Sequence, residues 1–185
     1  MNDSLLFLSN FIKYPKEVGS IVPSSKSLTK EVIKGIDFKK SDFIVELGPG
    51  SGTFTKAILK RARPDSRVIC FEVNKKFCNY LNEKIIDKRL TIINSGAEKI
   101  NRNFGIKQSK ADYVVSGLPF RNFSAGKKKK IIGEVRNCMK DDGKFILFQY
   151  TNDLKKLLES YFPKVERKFV PANIPPAFVY VCEKQ

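Results

Sequence analysis

The sequence predicts a single α/β domain, a largely parallel sheet covered on both faces by helices, with a helical segment in front of it. Three observations predict it. From about Phe43 onward, short apolar runs of strand length alternate with helical patterns. The runs are apolar almost throughout, as strands buried on both faces require. With 185 residues, 42% of them hydrophobic, the chain can fill one full-sized core.

The first 40 residues read as an amphipathic helical extension to a domain spanning residues 41–185. From Ser4 to Tyr14, Leu5, Leu8 and Ile12 recur at helical spacing, and Leu6, Phe7 and Phe11 widen the apolar face. Pro15 ends that helix, and a Gly/Ser/Pro-rich link from Gly19 to Ser25 leads to a second one from about Ser27 to Lys34. Most such helices dock on their own domain, and an apolar face does not by itself name its partner. The first strand, Phe43 to Leu47, precedes a helix from Thr53 to Ala62. The second, Arg67 to Glu72, precedes a helix from Lys75 to Lys84, and Leu90 to Ile93 forms the third. After a polar stretch come the strand Ala111 to Ser116 and a helix from about Lys128 to Met139. A turn at Asp141, Asp142 and Gly143 then leads into the strand Lys144 to Tyr150. A helix from Asp153 to Tyr161 leads to the last two strands, near Glu166 to Val170 and Ala177 to Cys182. The count is seven strands, with the last antiparallel.

Composition excludes several chemistries. The chain has no histidine, which removes Ser-His-Asp and Cys-His hydrolysis and every zinc site that needs imidazole. No metal site is expected. Cys70, Cys78, Cys138 and Cys182 are far apart without a CxxC pair and read as reduced core residues of a cytoplasmic protein. Asn2 and Asp3 stand where a signal peptide would carry basic residues, and no apolar stretch approaches the roughly 18 residues of a spanning helix. Against 19 Asp and Glu stand 35 Lys and Arg, a formal net charge of +16, so the folded surface attracts polyanions. Nucleic acid and anionic membrane both answer that field.

The strongest local signal is Glu46-Leu47-Gly48-Pro49-Gly50-Ser51-Gly52-Thr53-Phe54-Thr55, placed between an apolar strand and a helical pattern. Glycines permit a tight turn and close approach of a ligand to backbone, and the helix that follows presents free N–H groups. Glu72 ends the next strand, where a carboxylate can accept both hydroxyls of a ribose. A nucleoside-containing cofactor follows. The loop resembles the first motif of Rossmann-like class I methyltransferases that use S-adenosyl-L-methionine, since it is GxGxG preceded by an acid rather than GxGxxG. That resemblance implies that Glu46 lies near the methionine end, that the loop from Gly48 through Gly50 to Gly52, with Thr53 and Phe54, runs beside the cofactor, and that Glu72 and Val73 hold its nucleoside. Such enzymes commonly carry an acid after the third strand that contacts adenine. Here that position is Gly96, and Ala97 backbone or Glu98 takes its place.

The acceptor segment after the fourth strand reads Ser116-Gly117-Leu118-Pro119-Phe120-Arg121. RNA adenine dimethylases resemble it, with Asn where this chain has Gly117. Three segments together resemble bacterial phospholipid N-methyltransferases, which act on phosphatidylethanolamine: Pro15 to Ser25, Ser116 to Pro119, and Asn173-Ile174-Pro175-Pro176-Ala177-Phe178-Val179-Tyr180. The likeness covers almost the whole chain. It implies N-methylation of an amine-bearing membrane lipid by a protein peripherally associated with the inner face of the membrane, reached through the first helix, with Ser20 in a link lying over the cofactor. Alternatives are an ornithine lipid acceptor, an RNA adenine acceptor, and a cofactor-binding protein without activity.

An alkyl amine has a reference pKa of about 10, so the site must remove a proton or select the neutral form. Tyr14 and Tyr180 are candidates to orient the amine, and Phe120 or Phe123 to favour a cationic head group. Lys127, Lys128, Lys129 and Lys130 stand at the start of a helix, where the dipole disfavours cations. With Arg121, they are candidates to meet lipid phosphates.

Overall fold

The computed structural model describes residues 25–103 and 110–185, so the helix expected over Ser4 to Tyr14, with Tyr14 and Ser20, lies outside the described residues. In chain order the elements are α1 (Lys26–Lys34), β1 (Phe43–Leu47), α2 (Thr53–Leu59), β2 (Arg67–Phe71), α3 (Lys75–Lys84), β3 (Leu90–Ile93), α4 (Ile100–Asn103), β4 (Ala111–Ser116), α5 (Ala125–Cys138), β5 (Met139–Gln149), α6 (Lys155–Glu159), β6 (Lys164–Val170) and β7 (Ala177–Glu183). Short 3-10 turns occupy Ala97–Lys99 and Phe120–Asn122.

One seven-stranded sheet has the order β3-β2-β1-β4-β5-β7-β6. Neighbouring strands pair parallel from β3 across to β5, and β7 runs antiparallel to both β5 and β6. This is the expected architecture. The strand β1 shows why the residues fold this way, since all five of its side chains are buried. Alternation along the strand sends Phe43, Val45 and Leu47 into the core shared with Ile131, Ile132 and Val135 of α5. Ile44 joins the opposite core with Leu28 and Val32 of α1 and Phe54 and Ile58 of α2. Helix α1 is therefore part of the domain core, although it falls within the first 40 residues. Ser25 caps it by accepting the Leu28 N–H at 3.1 Å.

Four elements differ in extent from expectation, β5 and α5 for a visible local reason. The Asp141-Asp142-Gly143 segment lies inside β5, because Met139 already pairs with Ala111 and the ladder absorbs the intervening residues as a bulge. Lys140 pairs with Asp112 of β4, and Lys184 with Asp141 at 2.7 Å, so ion pairs hold the apparent turn region on both sides. Helix α5 begins at Ala125 rather than Lys128, since the Ser124 hydroxyl accepts the Lys127 N–H at 3.3 Å. Helices α2 and α6 are shorter than the patterns Thr53 to Ala62 and Asp153 to Tyr161. All four cysteines are buried free thiols.

Strand order reverses between β1 and β4, and in open parallel sheets a ligand crevice forms beyond the carboxyl ends of strands at that point. Helix α2 starts there, and its far end is tied down by Arg89. The guanidinium donates to the carbonyls of Leu59 at 2.8 Å, Ala62 at 2.7 Å and Arg63 at 3.2 Å, and pairs with Asp87 at 2.6 Å. Arg89→Ala is expected to lower the unfolding free energy by about 2 kcal/mol in urea titrations. Arg89→Lys should restore only part of it, because one ammonium cannot fork to all four groups.

Candidate cofactor and acceptor site

The glycine loop between β1 and α2 takes a backbone path that side chains resist. Gly48, Gly50 and Gly52 have φ of 68°, 53° and 81°, all in the left-handed region. At Gly48 space is short as well: a Cβ there would sit 2.9 Å from Cδ2 of Leu118 in the acceptor loop. The Gly48 N–H donates to the Phe71 carbonyl at 2.9 Å, which fastens the loop to the end of β2. Thr53 and Phe54 open α2 with their main chains. The Phe54 side chain does not reach the loop, because it is buried with its ring 5.7 Å from that of Phe148.

Glu46 follows Ile44 in the alternation of β1 and so points into the α1/α2 core. Its Oε2 accepts from the Thr55 hydroxyl at 2.6 Å and from Cys70 Sγ at 3.4 Å, while Oε1 is buried with no partner among the described residues. Burial pushes its carboxyl up to about 7, and the nearby Glu72 adds to the rise. Glu72 accepts the Gly50 N–H at 3.2 Å and the Asn74 N–H at 2.8 Å, and burial raises its pKa too. Asn94 donates to the carbonyls of Glu72 and Val73 at 2.8 and 3.0 Å, fixing the segment that presents them. Val73 is 66% exposed, an apolar surface beside the ribose-type acid.

After β3, the space beside Gly96 is taken by the Glu98 side chain. A Cβ on Gly96 would lie 2.3 Å from Oε1 of Glu98 and 2.6 Å from its Oε2. The Glu98 carboxylate therefore folds back over Gly96 and fills the volume an acid at that position would use. Ala97 is buried in the core, so it faces this region with backbone alone.

The acceptor loop leans directly on the glycine loop. Gly117 donates its N–H to the Leu47 carbonyl at 2.9 Å, and a Cβ on Gly117 would be 2.9 Å from the Gly48 carbonyl oxygen. No side chain fits there unless backbone moves. The buried Ser116 hydroxyl accepts the Leu118 N–H at 3.2 Å, and Gln149 donates to the Leu118 carbonyl at 3.0 Å. Ser116 thus shapes the turn, and half-buried Leu118 and Pro119 carry its surface. Phe120 is fully buried and anchors the loop, which removes it as a head-group contact, while Phe123 meets its edge at 6.0 Å and lies under the Lys127 ammonium at 4.6 Å. Arg121, Lys127, Lys129 and Lys130 are exposed and Lys128 is half-buried. The Thr151 hydroxyl holds the Asp153 carboxyl below its ordinary value, helped by Lys128 and Arg121, so these groups share the acceptor edge.

Tyr180 is fully buried between β5 and β6, among core residues that include Phe145 and Phe162. Its hydroxyl has no hydrogen-bond partner among the described residues. The cross-strand neighbour Arg167 lies near it without reaching bonding geometry, and burial raises the phenol pKa. Thr55, Asn94 and Gln149 were not legible as site residues. A threonine three positions after the last glycine, one turn into the helix beside Glu46, was the one available signal.

Two buried carboxylates, with no ion pair to either among the described residues, suit a ligand that brings positive charge and hydrogen-bond donors. S-adenosylmethionine, with its sulfonium, ammonium and ribose, is such a ligand, and fold and site together define a class I methyltransferase dependent on it. The chain belongs to the ribosomal RNA adenine dimethylase family, whose model matches residues 13–159. It is 32% identical to an ornithine lipid N-methyltransferase from Singulisphaera acidiphila, over 98% of this chain and 96% of that protein. It is 30% identical to ribosomal RNA small subunit methyltransferase A of Clostridium botulinum, over 58% of this chain but only 38% of that enzyme. Among solved structures, human methyltransferase-like protein 13 in complex with SAH superposes with a TM-score of 0.70 at 13% identity, covering 87% of this chain and 83% of that one.

Two measurements probe this geometry. Taking 4.5 as the ordinary Glu46 pKa and about 7 in the fold, the fold favours the neutral carboxyl. Its contribution to stability is full below pH 4.5, declines up to about pH 7 and is flat above. Without cofactor, Glu46→Gln should therefore gain on the wild type between pH 4.5 and 7 by up to about 3 kcal/mol in urea titrations. Gly117→Asn should displace the Gly48 carbonyl and weaken cofactor binding by about tenfold or more in calorimetry, with a lowered melting temperature.

Proposed function

We propose that the protein transfers methyl groups from S-adenosylmethionine to the amine of a membrane lipid head group, an ornithine lipid first and phosphatidylethanolamine second. The observation that carries this reading is Gly117. The position that bears an Asn in RNA adenine dimethylases has neither a side chain nor room for one, so no amide is available to hold a flat adenine amine. The likeness to the ornithine lipid enzyme, over nearly the full length of both chains, supports a lipid acceptor and favours ornithine over ethanolamine. The family model and the +16 charge keep RNA as the second reading.

The cofactor supplies an electrophilic methyl on a positively charged sulfur. Displacement of that methyl needs alignment and exclusion of water more than it needs an acid or base. In this chain Glu46 and Glu72 hold the donor, Glu98 and Val73 receive the adenine, and the Gly117-Leu118-Pro119 backbone brings the acceptor against the glycine loop. The amine must be neutral to attack. Tyr14 in the segment before α1 is the group assigned to orient it, whereas Tyr180, expected beside it, is as fully buried as Phe120 and serves the core. Arg121 and Lys127 to Lys130 then meet lipid anions at the same edge, so the protein would act while bound peripherally at the inner face of the membrane. Among the described residues no helix is long and apolar enough to cross a membrane.

Radiolabelled methyl transfer to vesicles containing ornithine lipid, to vesicles containing phosphatidylethanolamine and to structured RNA tests the acceptor. Label in lipid is expected, and label confined to RNA overturns it. Replacing Lys127 to Lys130 together with glutamine should weaken binding to anionic vesicles about a hundredfold or more and leave cofactor affinity unchanged, because each basic group contributes about 1 kcal/mol at the surface.

A further inference from the structure

The loop joining β6 to β7, residues 171–176, reads Pro-Ala-Asn-Ile-Pro-Pro, and all of it except Asn173 is exposed. Ile174 at its tip is 83% exposed. Apolar residues concentrated this way on a surface loop need a partner. The loop lies at the same edge as the methyl-transfer site. Strand β6 runs parallel to β5 because both are antiparallel to β7, so Val170 and Gln149 end on the same side of the sheet. Gln149, which holds the acceptor loop through the Leu118 carbonyl, pairs with Phe178, one residue from the start of β7.

The loop is also built to leave water. Three of its six residues are prolines and carry no N–H. Asn173 turns inward: its N–H donates to the Val170 carbonyl at 3.4 Å, and its side-chain amide donates to the Pro175 carbonyl at 2.6 Å. Its Oδ1 accepts the Ser25 N–H at 3.3 Å, and Ser27 donates to the Ala172 carbonyl at 3.3 Å. Backbone polar groups met from within are what a segment entering hydrocarbon requires. Down the hairpin, half-exposed Phe169 stacks on Phe178 at 5.1 Å, and the Arg167 guanidinium covers the Phe178 ring at 5.0 Å, an apolar stem with its charge held to one side.

We infer that this loop is a wedge that enters the acyl region of an anionic bilayer beside the acceptor site, with Ile174, Pro175 and Pro176 as its leading edge. The inference rests on the lipid reading of the function and adds the means by which the site meets its substrate in place. Lys127 to Lys130 and Arg121 on the same edge supply charge complementary to anionic head groups, and the loop supplies the apolar contact. Ile86 provides an internal comparison. It is 95% exposed, but it lies between α3 and β3, at the opposite edge of the sheet.

The chain has no tryptophan, so a single one reports its own surroundings. Ile174→Trp and Ile86→Trp, each in the full chain, would be mixed with vesicles of phosphatidylglycerol and phosphatidylethanolamine, with and without brominated acyl chains. The expected result is a blue shift and bromine quenching for Ile174→Trp and neither for Ile86→Trp. Ile174→Asp should weaken vesicle binding about tenfold or more while cofactor affinity and melting temperature stay unchanged. An unshifted Ile174→Trp, or equal shifts at both positions, overturns the wedge. Emission already blue without vesicles overturns it as well and assigns the loop to a protein contact, within the chain or with a second copy. Lipid methylation with an unshifted Ile174→Trp removes the wedge and leaves the activity, whereas the expected shift with label only in RNA removes the activity reading and leaves the wedge.

Discussion

Everything at the site depends on how closely the loops after β1 and β4 approach. Gly48 is pressed against Leu118, and Gly117 against the Gly48 carbonyl, so each glycine makes room for the other loop. Hydrogen bonds from Gly117 to Leu47 and from Gly48 to Phe71 tie three neighbouring strand ends into one unit. Donor and acceptor binding are thereby mechanically linked, since a change in either loop is felt as a backbone shift in the other. Close-packed interiors transmit such shifts rather than absorb them.

The second constraint is electrostatic. Glu46 and Glu72 are both buried without a bonded cation among the described residues, and Glu72 adds to the cost of ionising Glu46. The chain carries 35 basic residues, yet among the described ones none forms an ion pair with either acid. A pair of acids left uncompensated in the free protein is a preorganised site for a cationic ligand, whose binding free energy offsets their desolvation.

The sheet was legible in the sequence because buried parallel strands announce themselves as unbroken apolar runs, and the cofactor loop because three glycines and an acid lie between a strand and a helix. Boundaries were less legible where tertiary pairing overrode local chemistry, as at Asp141 to Gly143, a good turn signal drawn into β5 by the backbone of Ala111. The roles of single aromatics were the least legible. Phe120 and Phe54 read as site residues from their positions beside the motifs, yet both serve as anchors, because the residue that fixes a loop and the residue that lines it are neighbours in sequence with opposite orientations. Nothing in composition or spacing marks that difference. The Glu98 carboxylate over Gly96 needed coordinates as well, since a side chain reaching back two residues has no periodic signature.

The two departures from the methyltransferase pattern are both glycines, and they have opposite outcomes. At Gly96 the space that a side chain would take is filled by the Glu98 carboxylate. At Gly117 the lost side chain is not replaced by any neighbour, and the Gly48 carbonyl fills the space instead. Compensation on the donor side without compensation on the acceptor side is the pattern expected when the cofactor is kept and the acceptor has changed. Among the described residues the acceptor edge offers backbone, basic side chains and an apolar loop, and under the lipid reading proposed above such a surface would select by head-group charge and membrane proximity rather than by the hydrogen-bonding face of a base.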